Sequence, residues 1–72
     1  MSTSDQHLMQ MANDIAANLW PGKAEQEAAE ATAGHIRKFW APPMRKKIVE
    51  LWRDNDAAIS ENAGKAIALM TD

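Results

Sequence analysis

Apolar residues return every three or four positions along most of this chain, in segments separated by proline, glycine or short polar runs. The first segment aligns Leu8, Met11, Ala12, Ile15 and Leu19 on one stripe and predicts a helix over residues 4–19. Its start near Thr3, with Gln6 three residues later, fits a capping box, and Pro21-Gly22 breaks it. A second helix is predicted over 24–40, with Ala29, Thr32, Ala33, Ile36, Phe39 and Trp40 on its apolar face. It opens with Glu25 and Glu27 and closes with Arg37 and Lys38, the charge order that suits a helix dipole. The small residues in its first half allow a neighbouring backbone to come close.

Pro42 and Pro43 end that run, because a residue before proline is pushed out of helical geometry. Pro43 suits the first position of a third helix over 43–53, where a missing N–H costs nothing. Met44, Ile48, Leu51 and Trp52 fall on its inner side, and Lys46, Glu50 and Arg53 on its outer side. Asp54-Asn55-Asp56 reads as a loop, and Ser60 as the cap of a last helix over 60–70 carrying Ala63, Ala66, Ile67 and Met70, with Gly64 inside it. The expected fold is all-α, a small bundle of three to four helices. It forms a single helical domain, 1–72, with order in the first and last few residues left open.

With 72 residues and no cysteine, the chain buries only about 60% of the surface its unfolded form exposes. Neither disulfides nor thiolate metal ligands staple it, so a partner subunit is expected. The amino-terminal stretch MSTSDQHLMQMANDIAANLW carries acids and amides where a signal peptide needs a basic end and a continuous apolar run, which predicts a cytoplasmic chain. No run of about 18 apolar residues occurs, so no membrane span is expected.

Catalytic patterns are absent. His7 and His35 fall on different predicted helices, and neither has a second His or a carboxylate at the spacing of a zinc site. No glycine-rich phosphate loop and no Gly-x-Ser-x-Gly elbow occurs. The expectation is no catalytic residue, no metal ligand and no cofactor held by this chain. His35 reads as a histidine at the border of the apolar face. Trp40 and Trp52 continue core stripes. Trp20 falls near Met9 on the helical wheel, away from the first stripe. Met9 and Trp20 therefore read either as an outward contact strip, for a partner or a second copy of the chain, or as packing under the 20–24 turn.

Charge sharpens the picture. Residues 37–47 hold five of the eight cations and none of the ten acids, a local charge of +5; the rest carries three cations and ten acids, or −7. Arg37 and Lys38 close a helix and suit its dipole. Arg45, Lys46 and Lys47 sit at a helix start, where cations are unfavourable by roughly 0.3–1 kcal/mol each unless an anion compensates. Lys46 can pair with Glu50 one turn on, which leaves Arg45 and Lys47 with no evident local partner. Free N–H groups at the start of the third helix and the surrounding cations read as an anion-seeking surface. An acidic face of a partner protein, nucleic acid phosphate or acidic lipid fits it chemically; one short patch on a chain of net charge −2 disfavours nucleic acid.

Two stretches carry a resemblance: LMQMANDIAANLW, with Met11, Ala12, Asn13 and Ile15, and HIRKFWAPPMRKKIVE, with His35, Ile36, Arg37, Lys38, Phe39, Trp40, Pro42, Met44 and Arg45. Together they resemble the delta subunit family of NAD-dependent, molybdenum-containing formate dehydrogenases, in order, separation and total length. The chain departs from the family pattern at Ala41, where an acid is usual, and at Pro43, where an arginine is usual. The resemblance implies a non-catalytic accessory subunit that binds the large (alpha) subunit and supports assembly, cofactor loading or stability. Molybdopterin, iron–sulfur clusters, FMN and NAD then belong to the other subunits. The resemblance implies that an acidic region of the partner meets Arg37, Lys38, Arg45, Lys46 and Lys47, with Trp40 either anchoring there or holding the two helices in position; Met9 and Trp20, from the helical wheel, are a second candidate contact. A transient maturation chaperone of the same enzyme and a small helical nucleic-acid-binding regulator are the rival readings.

Overall fold

Local breaks decide where each helix ends. The computed structural model describes residues 3–54 and 56–71. In chain order it forms α1 (Thr3–Leu19), α2 (Glu25–Phe39), α3 (Pro42–Asp54), a 3-10 turn at Asp56–Ala58 and α4 (Glu61–Met70), with no strand among the described residues. The all-α expectation holds, with a fourth helix. Residues Asp54 to Asp56 are not a plain loop: Asp54 belongs to α3, Asp56 opens the 3-10 turn, and Asn55 lies outside the described residues.

α1 is described from Thr3 onward; the Thr3 side chain, and with it the capping box, lies outside what is described. The helix closes where Trp20 N–H donates to Ala16 O at 3.0 Å, and Gly22, at φ 80°, turns the chain in the left-handed region that glycine enters freely. Lys23 Nζ then donates back to Leu19 O at 2.8 Å, so a cation from beyond the turn covers an orphan carbonyl of α1. α2 starts after the extended Ala24 and ends at the extended Trp40, whose N–H still reaches Ile36 O at 2.9 Å. α3 starts one residue earlier than expected: Pro42 and Pro43 fill its first two positions, and the N–H groups of Met44 and Arg45 both donate to Ala41 O, at 2.9 and 3.1 Å. α4 is capped as its sequence predicts, with Ser60 Oγ accepting from Ala63 N–H at 3.1 Å.

The core is built from all four helices. Leu8, Met9, Ala12 and Ala16 of α1 meet Ile36 and Trp40, Ile48 and Leu51, and Ile59, Ala63 and Ile67. This corrects the α1 stripe. Met9 is 3% exposed and Ala16 is buried, whereas Met11 is 43% exposed and Ile15 and Leu19 are only half-buried. α1 touches α2, α3 and α4 together, so its inner face is set by three neighbours, and Ala12 and Ala16 allow them to approach.

The broadest contact joins α2 to α4, where Ala28, Ala29 and Ala33 on one helix and Ala63, Gly64 and Ala66 on the other are buried. Small residues on both sides permit close backbones, as the first half of the second helix anticipated. Thr32 is buried among them and satisfies its hydroxyl on Ala28 O at 2.9 Å. The inner and outer sides of α3 fall as expected: Ile48 and Leu51 are buried, Met44 and Trp52 pack against the core, and Lys46, Glu50 and Arg53 are exposed.

Candidate interaction surface at the α2–α3 junction

The residues expected to bind a partner do not form one patch. Two of them are core. Met9 is not part of an outward strip, and Trp20 is half-buried against the core cluster, which is the packing alternative weighed for that pair. Trp40 is 6% exposed because the chain leaves the helix there in an extended conformation and the indole joins the core. It holds the two helices in position.

The cations divide by partner. Arg37 Nη2 donates to Leu69 O, a carbonyl in the last turn of α4, a turn that has no basic residue of its own. Lys47 lies 3.8 Å from Asp5 of α1, so an acid distant in sequence meets it. Lys46 is exposed and, among the described residues, makes no ion pair with Glu50 or any other acid. Arg45 is half-buried, and its Nε is covered by the chain without a hydrogen-bond acceptor.

The start of α3 is not an anion site made of free N–H groups. Its first two residues are prolines and have none, and the next two N–H groups are spent on Ala41 O. Whatever anion-seeking character remains comes from side chains. Arg37, Arg45 and Lys46, with Pro42, Val49 and Met70, line an open hollow of about 200 Å³ between the end of α2, the start of α3 and the end of α4. Among the described residues no carboxylate lines it. A larger hollow of about 490 Å³ lies along α1 beside Ala58, but the Asn13 amide on its wall is committed to the chain itself, to Ala58 O and Ser60 N–H.

Phe39 corrects the second apolar face. It is 65% exposed rather than core, because Ile36 and Trp40 take the inward positions at the end of α2. Its ring packs on His35, with centroids 4.7 Å apart and planes tilted by 45°, and Lys38 Nζ lies 5.6 Å from its centroid. His35, Lys38 and Phe39 are spaced i, i+3, i+4 and so share one face; that spacing was the available signal. Two residues from Phe39, Arg37 points to the other flank of the helix. The junction thus offers an aromatic knob on one side and a cation-lined hollow on the other.

Among the described residues there is no group of three or more His, Asp or Glu placed to hold a metal ion, and no helix is long and apolar enough to cross a membrane. No curated protein and no solved structure gives a significant match to the chain. A sequence family does: the model of the NADH-dependent formate dehydrogenase delta subunit, FdsD, matches residues 7–67, which spans both motif stretches and all of α2 and α3. The chain therefore belongs to the delta subunit family of NADH-dependent formate dehydrogenase, an oxidoreductase complex.

Proposed function

We propose that the chain is a non-catalytic subunit that docks onto the large, formate-oxidising subunit in the cytoplasm, through the last turn of α2 and the first turn of α3. Docking supports assembly, cofactor loading or stability of the complex, whose molybdopterin, iron–sulfur clusters, FMN and NAD sit in the other subunits. One observation carries this reading: Phe39 stands 65% exposed beside His35 and Lys38 on a chain whose other large side chains are mostly drawn inward. An exposed aromatic with a neighbouring cation is the kind of residue that dominates binding energy when a partner covers it. Arg45 and Lys46, without an acid among the described residues, add charge that an acidic partner surface would complement. Nucleic acid is the weaker reading, because Arg37 and Lys47 are engaged within the chain and the five cations do not form one strip.

The test is reconstitution of purified chain with formate dehydrogenase prepared without it. Phe39→Ser together with Lys38→Gln should abolish co-elution while retaining helicity and lowering the thermal midpoint only slightly. Undiminished co-elution of the variant sinks the docking surface. Stoichiometric retention of the unaltered chain in finished enzyme supports a subunit, and loss of the chain after metal loading supports a maturation chaperone instead.

A further inference from the structure

The hollow on the opposite flank from Phe39 has a chemistry of its own. Arg37, Arg45 and Lys46 converge on it, and its other walls, Pro42, Val49 and Met70, are apolar. Like charges gathered against apolar walls repel each other more than they would in water, and an anion placed among them is held more strongly for the same reason. Arg37 already has the Leu69 carbonyl, so Arg45 and Lys46 are the groups on the hollow that have no counter-charge among the described residues.

We infer that this hollow is the seat for a single aspartate or glutamate side chain of the subunit onto which the chain docks. The inference rests on the docking function proposed above and names the group that the docking surface takes. A guanidinium presents its donors in a planar fork that matches the two oxygens of a carboxylate, so Arg45 grips the acid and Lys46 closes the rim as a point charge. A hollow of about 200 Å³ has room for one such side chain. Charge complementarity selects an acidic protein group, and the local departure from neutrality on this chain, +5 over residues 37–47, is partly what that group offsets.

Two measurements on the full chain test this against formate dehydrogenase lacking it. Arg45→Met removes a guanidinium whose donor is unmet inside the chain, so the isolated variant should keep or gain thermal stability. Its affinity for the enzyme should fall on the order of tenfold or more. Arg45→Lys, which keeps the charge and loses the fork, should fall between the two. Carbodiimide treatment of the unaltered complex should join Lys46 Nζ to an acidic side chain of the partner, located by peptide mass spectrometry. Affinity unchanged in Arg45→Met, or no bond from Lys46 to a partner acid in a complex that does form, overturns the carboxylate seat and leaves docking through Phe39 standing. Failure of the unaltered chain to bind at all overturns the docking reading itself.

Discussion

Trp52 Nε1 lies 3.0 Å from where a Cβ on Gly64 would sit, so the indole of α3 fills the space that a side chain on α4 would need. That contact explains a glycine inside a ten-residue helix, where it is less favourable than alanine by about 0.8–1.0 kcal/mol. Gly64→Ala gains the propensity and loses the fit, and overpacking costs about 1–3 kcal/mol. The thermal midpoint should therefore fall or hold in the native background, and rise when Trp52 is first changed to Ala. A midpoint that rises equally in both backgrounds shows that the two side chains are not coupled.

Asn13 ties α1 to the start of α4. Its Nδ2 donates to Ala58 O at 3.2 Å and its Oδ1 accepts from Ser60 N–H at 2.8 Å, so one amide secures the turn that launches the helix. With about 0.5–1.5 kcal/mol for each bond, Asn13→Ala should destabilise by roughly 1–3 kcal/mol. Asn13→Asp keeps the acceptor for Ser60 and loses the donor to Ala58, so it should recover part of that loss. Urea titration followed by circular dichroism ranks the three proteins, and equal midpoints would mean that the amide does not hold the turn.

Arg37 serves α4 as a C-terminal cation although it belongs to α2. Arg37→Ala should expose the Leu69 carbonyl and loosen the last turn of α4 by about 0.3–1 kcal/mol. Faster amide exchange confined to residues near Met70, with the centre of α2 unchanged, is the expected pattern. Uniform protection across α4 would rule out the cap.

Lys65 links α4 to α2 through Glu25 and pairs along its own helix with Glu61 at 3.7 Å. Its ammonium is held above the ordinary lysine value of 10.5, mainly by the hydrogen bond to Glu25, against some desolvation and with help from both carboxylates. A raised folded-state value means that the stabilisation is complete below pH 10.5 and is lost as pH climbs through the folded value. The native protein should melt above Glu25→Gln at neutral pH, by a margin that salt reduces, and the two curves should converge in strong alkali. A margin that grows with pH contradicts the linkage.

The sequence by itself determined the helices. Apolar returns at three and four residues, Pro21-Gly22, the Pro42-Pro43 pair and the Ser60 cap are local signals, and each places an element to within a residue or two because helix formation is decided over a turn or so of chain. The motif stretches likewise pointed to the family by residue identity alone, and the five cations were visible as a cluster. What only the tertiary structure decided is how each helix is rotated about its axis and which charges meet. Met9 turned in and Met11 out because three neighbours press on α1, and Phe39 turned out because Ile36 and Trp40 had filled the inward positions. Lys47 found Asp5 and Arg37 found Leu69 across long stretches of chain, which left Lys38, Arg45 and Lys46 as the members of the cluster without an acid among the described residues. Periodicity is a property of one helix, whereas facing and pairing are properties of two, and they exist only once the helices have packed.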